Sequence, residues 1–103
     1  MSFANLRAAL LFGVAAASLS AACATANAPM HLAQQAESLR DYDVAVANYT
    51  KVLRAEPGNR DAQAGLERAR LRGSEAHYQR GQRFAAAGRF DDAVIELQLA
   101  SEL

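Results

Sequence analysis

Tryptophan is absent, and cysteine occurs once, at Cys23. No intramolecular disulfide can form. Net charge is absent too: 11 Lys and Arg balance 11 Asp and Glu. A balanced chain has no general pull on nucleic acid or on an anionic membrane. The longest uncharged apolar run, Ala8 to Leu19, has 12 residues, short of the ~20 that span a bilayer. Half of the 103 residues are hydrophobic, but many are alanine, which buries little area. The chain is long enough for one small domain.

Chemistry-bearing motifs are equally scarce. Asp41, Asp43, Asp91 and Asp92 could be paired for acid–base work, but at helix starts such residues are caps. His31 and His77 lie far apart with no Cys, Asp or Glu at ligand spacing, so no metal site is expected. Gly81 and Gly88 are followed by no lysine and sit in helical sequence, unlike a phosphate loop. No serine stands in a nucleophile elbow. The chain reads as a non-enzyme with no cofactor, no metal and no small-molecule substrate.

What is present is an internal likeness. Residues 38–55 (SLRDYDVAVANYTKVLRA) share an outline with the stretch ending at Leu103 (AAAGRFDDAVIELQLASEL). Each has a break, an aromatic, an acid and an apolar-periodic run. Placing Ala45 on Ala93 also pairs Tyr42 with Phe90, Asp43 with Asp91 and Val46 with Val94. Gly81 then falls on Ala33, Phe84 on Ala36, and Gly88 on Arg40. Self-similarity of this kind decides fold class first.

The period predicts four helices. Leu32, Ala33, Ala36 and Leu39 or Arg40 form one apolar stripe, so a helix is expected from about His31 to Arg40. A second runs from about Asp43 to Ala55, with Ala45, Val46, Tyr49, Val52 and Leu53 at three- to four-residue steps. Glu56-Pro57-Gly58-Asn59 closes it, and Asn59 is a good N-cap for the next. From Arg60 to Ala87 the stripe Ala62, Leu66, Ala69, Gly73, Ala76 or His77, Gly81 and Phe84 keeps its phase through Gly73. One long helix is expected there, two broken at Gly73-Ser74 being the alternative. The last helix covers Asp91 to Leu103.

These residues resemble the tetratricopeptide repeat, a helix–turn–helix unit of ~34 residues. The resemblance implies an all-α fold of antiparallel helix hairpins (an α-solenoid). It makes Ala33, Ala45, Tyr49 and Pro57 the packing positions of the first repeat, and Gly81, Gly88, Phe90 and Ala93 those of the second. The family's early tryptophan is missing, Arg40 stands at a small position, and Val52 replaces the usual alanine. The copies are 48 residues apart, so the chain divides into repeat 1 (about 26–59), an inserted helical segment (60–73) and an incomplete repeat 2 (about 74–103). Since such arrays usually need about three repeats, the chain is expected to be the N-terminal piece of a longer protein; a small complete lipoprotein is the alternative.

The N-terminus reads as an address. Arg7 and the apolar run lead to Ser20-Ala21-Ala22-Cys23, which resembles the lipobox of bacterial lipoproteins. That resemblance implies a signal peptide over 1–22, lipidation of Cys23, a tether over 23–30 and a helical domain over 31–103. With Ala24 after the cysteine it implies an exported outer-membrane lipoprotein facing the periplasm. Cleavage after Ala26 or Ala28 would give a soluble periplasmic protein instead, and an incidental cysteine is the third reading.

The function expected is protein–protein interaction or scaffolding in the cell envelope, with a protein or peptide partner, membrane attachment through lipid, and no nucleic acid. The order of modules resembles the start of secretin-family precursors of secretion and pilus systems, or a pilotin-like lipoprotein. The alternative is a structural helical segment without its own ligand. The arginines between Arg68 and Arg89 are either a groove for an acidic peptide or a solvated face. A groove lined by Gln34, Asn48, Arg80 and Arg83 would favour binding; apolar side chains left open on the last helix would favour the structural role.

Overall fold

The computed structural model describes residues 27–103, and every regular element among them is helical. Residues 27–38 form α1 as far as it is described, followed by α2 (Tyr42–Ala55), α3 (Arg60–Ala86) and α4 (Phe90–Glu102). The expected signal peptide, Cys23 and the first part of the tether lie outside the described residues.

Local chemistry explains the element ends. Asp41 caps α2 by accepting from the Val44 amide at 3.3 Å. Asn59 caps α3 by accepting from the Ala62 amide at 3.0 Å. Exposed Pro57 stops α2 rather than packing, and its carbonyl accepts from the Gln63 side chain at 2.8 Å. The α1 helix differs from expectation at both ends. It is helical already at 27, so residues 27–30 are not tether; Met30 packs on the core and so extends the helix. It stops at 38 because Arg40 turns left-handed, with φ of 59°.

The turns after α1 and after α3 are built alike. After α1 the Leu39 amide bonds to Gln35 O, Arg40 to Glu37 O, and Asp41 to Ala36 O at 2.8 Å. After α3 the Ala87 amide bonds to Arg83 O, Gly88 to Ala85 O, and Arg89 to Phe84 O at 2.9 Å. Each bond in one turn has its counterpart 48 residues on in the other. Both include the long bond that closes a helix over a left-handed residue. At that residue the second turn has Gly88 (φ 76°) and the first has Arg40. Glycine adopts this conformation freely, whereas a side chain there costs roughly 1–2 kcal/mol.

The long α3 runs unbroken through Gly73 and carries the packing. Its buried positions are Ala62, Gly65, Ala69, Gly73, His77 and Gly81, nearly all too small to hold a neighbour away. Its N-terminal half covers α2, where Tyr49 and Val52 are the large fully buried side chains. Ala33, Ala36, Ala45, Ala62 and Ala69 complete that cluster. Gly65 faces the Tyr49 ring so closely that a Cβ would collide with it. A Cβ at Gly81 would lie 2.8 Å from Leu97 of α4, and one at Gly73 would lie 2.8 Å from Leu103 and 3.1 Å from Tyr42. Aromatic burial on the scale of Tyr49 removes ~150–250 Å² from water, and small residues opposite make room for it.

Gly65→Ala should therefore lower stability by about 1–3 kcal/mol, as overpacking does, although alanine is the better helix former. Gly58→Ala is the control, since nothing lies within 4 Å of a Cβ there. Urea midpoints of the two variants should move in opposite directions or leave Gly58→Ala unchanged; equal destabilisation would contradict the close-packing account.

Candidate functional site

Two polar clusters interrupt this small-residue interior. The first joins three helices at Glu37. Its carboxylate accepts from the Tyr49 hydroxyl of α2 at 2.7 Å and from the Arg68 guanidinium of α3, whose second bond measures 2.8 Å. Arg68 holds the Glu37 carboxyl below its ordinary value against the opposing effect of burial, with Tyr49 helping. Burial, then Glu37, pushes the Tyr49 phenol up. The ring that fills the core thus has its hydroxyl satisfied at the core's edge.

The second cluster centres on His77, the one large polar side chain on the buried stripe of α3, only 4% exposed. Its Nδ1 lies 2.7 Å from Glu96 of α4, and its Nε2 lies 3.0 Å from both oxygens of Asp43 of α2. A neutral imidazole can donate from one nitrogen only, so both contacts are favourable only in the imidazolium. Burial opposes that charge, but the bonds to Glu96 and Asp43 outweigh it and raise the histidine pKa. Glu96 is the stronger partner: its side chain is 15% exposed, against 60% for Asp43, whose charge water screens. Glu96 also takes the Arg80 guanidinium at 3.3 Å, and its carboxyl is lowered, first by His77 and then by Arg80. Beside this junction Ser74 donates to the Ala100 carbonyl at 2.6 Å, satisfying a helix-end acceptor of α4.

The two carboxylates meet opposite edges of the His77 ring, so they do not converge on a point where an ion could sit. Among the described residues no group of three or more acidic, His or Cys side chains is placed to hold a metal. Asp43 is not a cap but the partner of His77. Asp91 and Asp92 stand in the first turn of α4 without capping it, and Asp92 instead holds Arg89 at 2.8 Å.

Several open grooves flank α3, and two of them bear on the expected binding residues. One is lined by Gln34, Glu37, Ser38, Asp61, Arg68 and Arg72. The other lies between the first turn and mid-α3, lined by Arg40, Tyr42, Arg72, Glu75, Gln79 and Arg80. The expected set of Gln34, Asn48, Arg80 and Arg83 is not assembled in either. Asn48 is buried, with its amide on the Val44 carbonyl at 2.9 Å. Gln34 lines the first groove, Arg80 the second, and exposed Arg83 neither.

Of the expected packing positions, Ala33, Ala45, Tyr49, Gly81 and Ala93 are buried. Phe90 is not: it is 68% exposed. Its counterpart Tyr42 is half-buried because α3 passes over it, and no described element passes over Phe90. Sequence reasoning missed Glu37, Arg68, His77 and Glu96. The one available signal was a histidine in phase with a stripe of alanine and glycine.

The His77 junction predicts a pH profile. The folded state binds this proton more tightly than the unfolded chain does. Its contribution is complete below the ordinary value of 6.5 and is lost as pH rises through the higher folded-state value. Glu37 and Glu96 have the opposite sign: their contribution is complete above 4.5 and lost as pH falls through their depressed values. Stability measured by urea unfolding should fall above neutrality, by at most about 1.4 kcal/mol per pH unit for one proton. His77→Gln should flatten that limb and leave the acid limb in place. An unchanged alkaline limb in the variant would show that His77 does not carry it. Scans of the chain against protein-family models, curated proteins and solved structures find no match.

Proposed function

We propose that this chain is an envelope-anchored helical-repeat module of tetratricopeptide type that holds other proteins, and that its docking element is α4. The observation that carries this reading is the open ridge of that helix. Phe90 is 68% exposed and Val94 62%, one helical turn apart at i, i+4, while Leu97 below them packs on Gly81 of α3. On α2 the equivalent ridge is Tyr42, Val46 and Tyr49, and α3 covers it with Gly65, Ala69 and Gly73. By that precedent, the occupant of the α4 ridge is a helix that presents small residues at three- to four-residue steps. Ridge-and-stripe contacts of this kind are how helix pairs in repeat arrays share a continuous core.

The finer parts of the reading rest on other observations. The matched turns, 48 residues apart, and the buried small residues at Ala33, Ala45, Gly81 and Ala93 support a repeat of tetratricopeptide type. Lipidation at Cys23 and an outer-membrane address rest on the lipobox-like residues, and a place in a secretion or pilus assembly rests on the order of modules. Among the described residues no helix is long and apolar enough to cross a membrane, so attachment in this reading comes from lipid. The open apolar face of the last helix, with the Gln34, Asn48, Arg80 and Arg83 groove not assembled, is also what the structural alternative expects, and it favours that alternative where the covering helix belongs to the same polypeptide.

A photocrosslinking residue placed at Val94 in cells should yield a discrete adduct that the same residue at exposed Lys51 does not, with the crosslinked peptide mapping to a helix. Val94→Glu should abolish the association assayed this way while leaving the thermal midpoint within a degree or two, since surface changes usually stay within about 0.5 kcal/mol. No adduct above the Lys51 level would sink the docking role of α4. Separately, Cys23→Ser should move the protein from the membrane to the soluble fraction; unchanged membrane association would rule out a lipid anchor at that position.

A further inference from the structure

The two turns are the same device built from different residues, and the differences point one way. At the left-handed position the second turn has Gly88 and the first has Arg40. Two residues later the second has Phe90 and the first has Tyr42. The first turn therefore carries a guanidinium at the left-handed position itself and a phenol where its counterpart has a plain ring, while the second turn's own arginine, Arg89, is held by Asp92 at 2.8 Å. Both Arg40 and Tyr42 line the same groove, opposite Arg72 and Arg80 of α3. An arginine in a conformation that glycine adopts without cost is a retained strain, and such strain collects where binding needs it.

The charges in and beside the groove can be accounted for one at a time. Asp41 accepts from the Val44 amide and Asp43 faces His77. Glu75 accepts from Gln79 at 3.1 Å. Arg80 is shared with Glu96 at 3.3 Å, a loose pair. Arg40 and Arg72 make no ion pair or side-chain hydrogen bond with any described residue. Two guanidinium forks without a hydrogen-bonded partner therefore line one groove together with Tyr42 and Ala76, Arg72 also lying near enough to Glu37 to act on its charge.

From this we infer that the groove between the first turn and mid-α3 receives an acidic peptide segment of a protein partner. Its carboxylates pair with Arg40 and Arg72, and its backbone lies along Tyr42 and Ala76. The planar guanidinium fork matches a carboxylate in two parallel hydrogen bonds. The alternation of charged and apolar lining suits a peptide better than a lipid surface, because Glu75 in the lining would repel a continuous anionic sheet. The groove is separate from the α4 ridge, and the inference stands whether or not that ridge docks a helix.

The test exploits the strain. Arg40→Gly removes a guanidinium and relieves a left-handed side chain, so it should bind less and fold better. The probe is a short fluorescein-labelled peptide of alternating glutamate and glycine, read by anisotropy on the full chain, with its glutamine counterpart as control. The wild type should favour the glutamate peptide, and Arg40→Gly should weaken it about tenfold or more, the scale of a lost charged hydrogen bond. Its thermal midpoint should rise by about 4 °C or more. Arg72→Gln should weaken binding similarly with little change in midpoint. Equal binding of the two peptides, or full affinity in Arg40→Gly, would overturn the inference. So would arginine-dependent binding seen only with inorganic phosphate or with vesicles of anionic phospholipid.

Discussion

The separation between α3 and its neighbours is set by hydrogen atoms where side chains would otherwise stand. Gly65, Gly73 and Gly81 recur every eight residues, with Ala62 before them and Ala69 between the first two on the same stripe. That stripe lets α2 approach one half of the helix and α4 the other. Each glycine weakens a helix interior by ~1 kcal/mol against alanine, and α3 carries three on one face. The helix tolerates them because each has a large side chain lying against it: the Tyr49 ring, Tyr42 with Leu103, and Leu97. Close approach also explains how a chain so rich in alanine makes a core. Small residues on both faces bury little area each, but they bring backbones near enough for one tyrosine and one valine to be fully enclosed.

His77 is the exception on that stripe, and its position explains it. It lies where cover passes from α2 to α4, so one residue touches both hairpins. An aliphatic side chain there would fill space without fixing how the hairpins are set relative to each other. An imidazolium with a carboxylate on each edge specifies that setting by direction as well as distance, and the cost of burying it is met by two acceptors. Arg68 on Glu37 performs the matching task at the other end, tying α3 to α1 beneath Tyr49. The fold therefore combines a permissive apolar stripe with two directional polar ties.

This division decides what the sequence could tell. Periodicity is local, so the phase of the α3 stripe through Gly73, the Asn59 cap and the 48-residue register of Ala45 on Ala93 were all readable. Glycine at 88 and arginine at 40 could be aligned from the repeat, but only the backbone shows that both are left-handed. Partners far apart in sequence were not readable. His77 meets Asp43 34 residues before it and Glu96 19 residues after it, and no pattern within one helix selects either acid from its neighbours. Asn48 shows a complementary limit. A polar residue mid-helix looks available for binding, but its amide had a carbonyl one turn back to satisfy it. Phe90 was assigned to packing from the resemblance to the tetratricopeptide repeat, yet its counterpart Tyr42 is covered by α3, which passes over only the first hairpin.

The two hairpins have therefore diverged at the same three places. In the first, the turn bears Arg40, the next aromatic is Tyr42, and the ridge ending in Tyr49 is closed over by α3. In the second, the turn bears Gly88, the aromatic is Phe90, and the ridge of Phe90 and Val94 is open. Backbone strain stands on the hairpin whose apolar face is already satisfied. Exposed apolar surface accumulates on the hairpin whose turn is relaxed. A purely structural repeat would have no reason to hold an arginine where glycine serves its own second copy. The asymmetry is economical if the two hairpins meet different surfaces, one by ion pairing and one by burial. It also separates the two contacts chemically, since salt weakens exposed ion pairs while leaving the burial of the ridge intact.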